Sequence, residues 1–365
     1  MDSICCILGA GYSHAAGAPL TMELFATRNV AVSSDAAARR FQTVWSDYEE
    51  WKSENSSRNA EEYLADLHRH RESASWALNK GYMFGHHPLR TTEAIEKQCA
   101  TFSFPDLPVP TRAVPPFEWA VELIGAVLAT PLSSDTTTKN FRYGARVTFP
   151  FHCTSHSVFW REITGKGRHV AALTTNYDIL IERGLRHKRM LRVFGPGFYY
   201  GGIPKPQLLR GAFLPWADCG SHIELEGAIP VYKLHVSLNW SHGRDGLELF
   251  QDLRPAFRGG GDAAIIPPIP EKEIPAWLRP VWQCAEQELS RAAAWIICGY
   301  SLPAYDTAIV DLLRRAATVG NLRRILILDP YAAEICCRYS AIVHNIQVVP
   351  LDGLPNGVKE LEQLL

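Results

Sequence analysis

The chain begins with a short apolar run that ends in a glycine-rich turn. Ile4–Leu8 is followed by Gly9-Ala10-Gly11, and further short apolar runs occur at His169–Thr175, Trp295–Cys298 and Ile325–Leu328. A run this short that is apolar at nearly every position is typical of a parallel strand covered on both faces. Because these runs alternate with amphipathic stretches, we predict an α/β fold, a Rossmann-like parallel sheet with helices on both faces.

The middle of the chain does not follow this alternation. From Arg39 to Arg71 apolar and aromatic residues recur at helical spacing, and Phe117–Leu128 is a second helical stretch. Between and after them lie a proline-rich loop, Phe104–Pro116, and a polar linker, Pro131–Asn140. The pattern therefore predicts a large, mainly helical insertion into the α/β domain.

A chain of 365 residues is long enough for one large α/β domain with such an insertion. We predict that residues 1–20 and 166–365 form the Rossmann-like domain and that residues 21–165 form the inserted helical subdomain. The final strand and helix of the domain are expected at Ile346–Val349 and Val358–Leu364.

The composition is ordinary for a soluble globular enzyme. Hydrophobic residues make up 47% and charged residues 21%, and no apolar run approaches the roughly 20 residues of a membrane span. The first residues lack the basic start of a secretory signal, so we expect a cytoplasmic protein without membrane contact. The formal net charge of −1 gives no overall attraction to nucleic acid, and short basic clusters such as Arg186–Arg189 are typical of solvated helix surface.

Metal binding is not expected. None of the nine cysteines forms a C-x-x-C pair, which argues for reduced thiols and against a zinc site of that kind. His152 and His156 have the i, i+4 spacing of ligands on one helix face, but the glutamate of an H-E-x-x-H motif is missing.

Polar or glycine-rich segments follow the apolar runs, at the positions where open α/β sheets expose ligand-binding groups. There are five such segments: Gly9–Pro19, Thr174–Asp178, Tyr232–Trp240, Cys298–Pro303 and Asp329. In the first, glycines permit a sharp turn into a helix, so that backbone N–H groups could cradle a pyrophosphate. Its third glycine departs from the G-x-G-x-x-G spacing of dehydrogenases.

Each segment also has a purely structural interpretation. The glycines could serve the turn alone, and Asp178 could cap the helix that follows it. His235 could be a packed, hydrogen-bonded residue, and Asp329 could only open the turn at Asp329-Pro330. Single segments therefore do not decide the function.

Taken together and in this order, the five segments resemble the sirtuin family, and more closely its bacterial branch associated with defence against phage. The glycine-rich motif of the family reads approximately G-A-G-x-S-x-x-x-G-[IL]-P. Its places are occupied here by Gly9, Ala10, Gly11, Ser13, Gly17 and Pro19, and T-T-N-Y-D and G-Y-S-L-P follow at residues 174–178 and 299–303. The resemblance covers residues 4–20 and about 169–335.

The resemblance implies that NAD is the ligand and assigns roles to the matching positions. Asn176 would be catalytic by holding the nicotinamide ribose and a water, and His235 would be the catalytic base. The residues implied in cofactor binding are Gly9, Ala10, Gly11, Ser13, Gly17, Pro19, Thr175, Asp178, Gly299, Ser301 and Asp329. Among them Asp178 would contact the carboxamide, and Gly299, Ser301 and Asp329 would surround the adenosine half.

Three departures from the family favour one reaction over another. Protein-deacylating sirtuins carry a zinc module with two C-x-x-C pairs, which this chain lacks. Val236 stands where the family usually has glycine after the histidine, and the T-T-N-Y-D form resembles the branch that hydrolyses the cofactor. The expected function is hydrolysis of NAD, as substrate, to nicotinamide and ADP-ribose.

The resemblance also implies a biological setting, an effector that depletes NAD in an anti-phage (abortive infection) defence system. Because such an enzyme should stay inactive until a signal arrives, we expect a homo-oligomer that is activated through oligomerisation or by a separate activating partner protein in a larger complex. Two other functions remain open: a non-catalytic module that binds NAD or an ADP-ribose-like nucleotide, and a zinc-free sirtuin-type deacylase.

Overall fold

The structure of the chain is a computed structural model. It describes residues 3–28, 30, 35–79, 114–129, 136–139, 146–149, 153–190, 198–203, 228–243, 246–249, 262–263, 266, 274–303 and 306–365.

The described strands are, in chain order, β1 (Ile4–Leu8), β2 (Thr136–Lys139), β3 (Arg146–Phe149), β4 (Val170–Thr174), β5 (Phe198–Tyr200), β6 (Ile229–Lys233), β7 (Trp240–Gly243), β8 (Gly246–Leu249), β9 (Asp262–Ala263), β10 (Ala294–Cys298), β11 (Arg324–Leu328) and β12 (Gln347–Leu351). The described α-helices are α1 (Ala10–His14), α2 (Asp35–Glu54), α3 (Ala60–Asn79), α4 (Phe117–Ala129), α5 (Thr154–Thr164), α6 (Leu180–Met190), α7 (Arg279–Arg291), α8 (Thr307–Val319), α9 (Ala332–Ser340) and α10 (Val358–Leu364).

A parallel sheet forms the centre of the molecule. Its strand order is β12-β11-β10-β1-β4-β6-β5, and every pairing in it is parallel. All five residues of β1, β4, β6 and β10 are buried. Because successive side chains of a strand point to opposite faces, both faces of the sheet must be covered. The predicted Rossmann-like α/β fold is confirmed.

The register of the sheet aligns the ends of its central strands. Leu8, the last residue of β1, lies opposite Thr174 at the end of β4 and Cys298 at the end of β10, and Cys298 lies opposite Leu328 at the end of β11. Because these strands run in one direction, the segments that follow them leave the sheet at the same edge.

The inserted helices α2, α3 and α4 build a second core. It contains aromatic and aliphatic side chains such as Phe25, Tyr63 and Ile124, together with Tyr177 and Leu238 from the loops at the carboxyl edge of the sheet. The insertion therefore packs directly on the edge at which the five segments converge. The predicted helical face of α2 is also confirmed, because Phe41 and Val44 are buried there.

The segments that flank α4 differ from the sequence expectation or lie partly outside the described residues. The predicted polar linker Pro131–Asn140 is wrong in part, since Thr136–Lys139 is a strand that pairs antiparallel with Arg146–Phe149. Its three consecutive β-branched threonines suit a pleated strand. Of the predicted loop Phe104–Pro116, residues 104–113 lie outside the described part of the chain.

Helix α5 bears on the division into domains. Its side chains Phe159, Trp160 and Ile163 belong to the core of the parallel sheet, and the helix contacts both α6 and α10. We propose that residues 1–20 and 166–365 form the Rossmann-like domain together with α5, and that the inserted subdomain ends before residue 154.

Among the described residues no helix is long and apolar enough to cross a membrane.

Candidate functional site

A cavity of about 680 Å³ opens at the carboxyl edge of the sheet. Residues from all five segments line it, including Ser13, Asn176, His235, Gly299 and Asp329. The other predicted site residues in its lining are Ala10, Gly11, Pro19, Thr175, Asp178 and Ser301. Gly9 and Gly17 are not among the lining residues. The fold thus brings segments that are up to 320 residues apart, from residue 9 to residue 329, to one place.

The glycines of the first segment allow its backbone to touch the loop after β10. A Cβ on Gly9 would lie 2.5 Å from the carbonyl oxygen of Gly299, and one on Gly11 would lie 2.7 Å from its Cα. Gly299 has φ +64, and its own Cβ would lie 2.2 Å from the backbone nitrogen of Tyr12. Glycine is required at these positions for close approach of two backbones.

This packing changes the interpretation of the expected phosphate cradle. The N–H groups of Gly9, Gly11 and Tyr12 donate to the carbonyl oxygens of Cys298, Gly299 and Gly9, at 3.0, 2.9 and 3.0 Å. These three donors are used within the protein. The glycine motif therefore joins the loop after β1 to the loop after β10 and builds part of the cavity wall. The helix that follows the motif, α1, has only five residues.

Asn176 is fixed by hydrogen bonds from its side-chain amide. Its Nδ2 donates to the Gly9 carbonyl oxygen at 2.7 Å and to Ser13 Oγ at 2.9 Å, and Ser13 Oγ donates to Asp178 Oδ2 at 2.6 Å. These bonds use the amino group of Asn176 and leave Oδ1 as the amide atom available to accept from a ligand. Asp178 Oδ1 also accepts from the backbone N–H of Leu180 at 2.9 Å, the helix-capping role considered above.

A buried pair of charged residues contacts the turn that contains Asp178. Lys233 donates to the carbonyl oxygen of Asp178, and its Nζ lies 3.4 Å from Glu182 Oε1. The hydroxyl of Tyr200 donates to the same carboxylate oxygen at 2.9 Å, and Asn239 Nδ2 donates to that hydroxyl at 3.2 Å. Neither Lys233 nor Glu182 could be predicted from the sequence as a member of this pair. The two residues are far apart in the chain, and only the tertiary fold brings them together.

His235 follows β6 and is buried in the cavity wall. Its Nε2 lies 3.8 Å from Asp306 Oδ1, and its ring centroid lies 6.4 Å from that of Tyr177. The next residue, Val236, has φ +72, a conformation that suits glycine and is rare for a β-branched side chain. The backbone after the histidine therefore keeps the shape that glycine would allow.

Two buried tyrosines and a cysteine in the lining of the cavity are neutral groups. Burial raises the pKa of Tyr177 and of Tyr300, and the negative charges of Glu61 and Asp306 raise both further. Burial likewise raises the pKa of the Cys298 thiol, so it remains protonated and is no nucleophile at neutral pH. Tyr300 and Asp306 were missed from the sequence as site residues, although Tyr300 is part of the G-Y-S-L-P segment.

Polar residues after β10 and β11 also line the cavity. Asp329 Oδ1 accepts the backbone N–H of Tyr331 at 2.8 Å. This hydrogen bond agrees with the prediction that Asp329 opens a turn. Burial raises the pKa of the Asp329 carboxyl. Arg338 donates to the Ser301 carbonyl oxygen at 2.9 Å and bonds Glu334 at 2.5 Å. Asp329 thus opens the turn and lines the cavity as well.

The insertion supplies the opposite wall. Asn59, Ala60 and Glu61, at the start of α3, and Leu128, at the end of α4, all line the cavity. Asn59 Oδ1 caps α3 by accepting the backbone N–H groups of Glu61 and Glu62 at 2.9 and 3.1 Å. Nothing in the sequence motifs indicated this contribution, since the insertion matches no family pattern.

Of the two histidines considered as metal ligands, the structure describes His156. His156 Nε2 is 2.7 Å from the Tyr12 carbonyl oxygen, and its ring stacks on that of Tyr12 at 3.8 Å between centroids. His152 lies outside the described residues. Within the described part of the chain, no group of three His, Cys, Asp or Glu side chains could hold a metal ion.

Comparison with known proteins gives one kind of match. No family model matches the chain, and no curated protein matches it. A solved structure reported as a structural basis for the mechanism and regulation of Sir2 enzymes is similar, with 12% sequence identity and a TM-score of 0.40. The match covers 100% of this chain and 91% of that one.

Proposed function

We propose that this cavity binds NAD and hydrolyses its nicotinamide–ribose bond, releasing nicotinamide and ADP-ribose. The observation that carries the proposal is the convergence of all five segments on one cavity that has buried Asn176 and His235 in its wall. The motif resemblance of these segments supplies the identity of the ligand.

The residues present fit a dinucleotide. A cavity of about 680 Å³ is within the range of about 300–1,000 Å³ typical of small-molecule and cofactor sites. Asn176 Oδ1 would accept a ribose hydroxyl at the inner end. Asp329, which follows β11 and lines the cavity, would bind a ribose hydroxyl of the adenosine half, as acidic residues do in dinucleotide-binding α/β folds.

The reaction needs few catalytic groups. The C–N bond to nicotinamide breaks with its electron pair moving to the ring nitrogen, which neutralises the pyridinium, and a C–O bond forms to water. The site must stabilise an oxocarbenium-like ribose and remove one proton from the attacking water. Asn176 would orient the ribose and the water, and His235 would accept the proton, help that is typically worth about 10²–10⁴ in rate.

Wider parts of the proposal do not come from the cavity. The motif resemblance suggests an NAD-depleting effector in anti-phage defence, and we propose that it is a homo-oligomer that works in the cytoplasm and is activated through oligomerisation or by a separate partner protein. His235 is buried, and we propose that activation rearranges the cavity so that a water molecule reaches this histidine.

The experiment is to incubate the purified chain with NAD, with and without an acetylated lysine peptide, and to separate the products by chromatography. The proposal predicts equal amounts of nicotinamide and ADP-ribose whether or not the peptide is present. Formation of O-acetyl-ADP-ribose only with the peptide would show a deacylase. NAD that binds, measured by calorimetry, and stays intact would show a binding module.

A further inference from the structure

Asp306 has an unusual position for a buried carboxylate. It occupies the N-cap position of α8, where an aspartate side chain ordinarily accepts a backbone N–H of the first turn. Here the Asp306 side chain makes no capping bond to the helix, although the residue as a whole is only 3% exposed. Burying a carboxylate without compensation is costly, so its other contacts must account for its position.

Those contacts link it to the candidate catalytic histidine. Asp306 Oδ2 accepts the hydroxyl of Tyr300 at 2.6 Å, and Asp306 Oδ1 lies 3.8 Å from His235 Nε2. The side chains of His235 and Asp306 are each 4% exposed. Because burial raises the pKa of Tyr300, its hydroxyl stays a donor that fixes the carboxylate. Tyrosine, aspartate and histidine therefore form a row at the cavity wall.

We propose that Asp306 is a positioning residue that holds the His235 ring and stabilises its protonated form during NAD hydrolysis. The proposal rests on the function proposed above. The carboxylate favours the tautomer with its proton on Nε2, which leaves Nδ1 as the atom that accepts a proton from water. The water proton moves to Nδ1, and the positive charge that results is balanced by Asp306.

Other charged and titratable groups around His235 do not take this role. Tyr177, in the turn after β4, and Tyr300, after β10, are neutral because burial raises the pKa of each. Lys233, two residues earlier on β6, is paired with Glu182. The negative charge of Glu61, at the start of α3, raises the pKa of both tyrosines and has the same sign as that of Asp306.

The test compares Asp306→Asn with Asp311→Asn, an exposed position of the same helix whose carboxylate pairs with Arg314. Asn keeps the size of the side chain and removes its charge. For Asp306→Asn we expect kcat for nicotinamide release to fall by about tenfold or more with KM little changed, since a well-placed base is worth about 10²–10⁴. His235 must be neutral to act, so losing the carboxylate should also move the acid limb of the pH–rate profile down by about 1 pH unit. Asp311→Asn should change neither.

A second measurement does not depend on activity. Nuclear magnetic resonance of the histidine rings in the NAD-free chain, with the His235 signal assigned by His235→Gln, gives the tautomer and the protonation midpoint. We expect the Nε2–H tautomer in the parent chain, and a midpoint about 1 pH unit lower in Asp306→Asn.

The outcomes separate the two proposals. Absence of NAD cleavage by the parent chain would count against the proposed function, and the ring measurement would still decide about Asp306. The reverse tautomer, or unchanged kcat and midpoint in Asp306→Asn, would overturn the inference. If Asp306→Asn does not fold, the tautomer in the parent chain decides.

Discussion

The buried pair of Lys233 and Glu182 beneath the candidate site gives a strong prediction about stability. The side chains are 0% and 1% exposed, and the Nζ–Oε1 distance is 3.4 Å. Replacing Lys233 by methionine keeps an unbranched side chain of similar length and removes the charge. Glu182 would then be a buried carboxylate with the Tyr200 hydroxyl as its remaining hydrogen-bond donor among the contacts described above.

The expected loss follows from that stranded charge. Removing one partner of a buried ion pair typically costs about 3–5 kcal/mol, because the other charge stays desolvated. The whole free energy of unfolding of a domain is about 5–15 kcal/mol. Lys233→Met should therefore lower the free energy of unfolding by about 3–5 kcal/mol and also loosen the Asp178 turn, whose carbonyl oxygen Lys233 binds.

Urea denaturation followed by tryptophan fluorescence measures the loss. The matched variant adds Glu182→Gln, which removes the stranded charge and still accepts the Tyr200 hydroxyl. The double variant should recover most of the loss, since replacing both partners of a buried pair is often close to neutral. A loss under about 1 kcal/mol in Lys233→Met, or a double variant no more stable than the single one, would refute the reasoning.

Three further predictions concern stability and pH. Asn59→Ala should lower the free energy of unfolding by about 1 kcal/mol, because Asn59 Oδ1 accepts two backbone N–H groups at the start of α3. Gly299→Ala should cost about 3 kcal/mol or more, because its Cβ would overlap the backbone of Tyr12, whereas Gly17→Ala, with φ +85 and no atom within 4 Å, should cost about 1 kcal/mol from strain alone. Asp329→Asn should stabilise the chain at pH 7 while weakening NAD binding. Burial raises the Asp329 pKa, so the contribution of Asp329 to stability is present below its ordinary pKa and lost as the pH rises through the raised value.

Urea denaturation checks all three, at pH 7 and at pH 3.5 for Asp329→Asn, with calorimetry for its NAD affinity. Equal losses in Gly299→Ala and Gly17→Ala would show that the close backbone approach is not real. A gain in Asp329→Asn that is as large at pH 3.5 as at pH 7 would show that ionisation of the carboxyl is not its cause.

The sheet could be predicted well because its strands are short apolar runs. β1, β4, β10 and β11 lie within a residue or two of their predicted positions, since full burial on both faces leaves few polar residues in them. The sequence predicts the final strand at Ile346–Val349, whereas β12 ends two residues later, at Leu351. Pro350 lies in that extension, and proline is a poor signal for a strand because it lacks the N–H donor.

The candidate site could be predicted only in part. Residues that follow strands in the motifs converge because the register of a parallel sheet brings strand ends together, which sequence order implies. Asp306 could not be identified, since an aspartate before an amphipathic helix predicts a cap, and only the tertiary fold turns its carboxylate to Tyr300 and His235. Asn59 and Glu61 reach the cavity through packing of the insertion, for which the sequence offered no motif.

The central claim is that the cavity cleaves NAD with the help of Asn176. The most direct measurement is the initial rate of nicotinamide release at saturating NAD by the parent chain, by Asn176→Ala and by Asn356→Ala, whose asparagine is exposed and bonds Asp352 near the chain end. The account predicts release by the parent chain and by Asn356→Ala, and a rate lower by about 10²-fold or more in Asn176→Ala, the scale of losing one group that stabilises a transition state. Equal rates in the parent chain and in a folded Asn176→Ala that still binds NAD would contradict it.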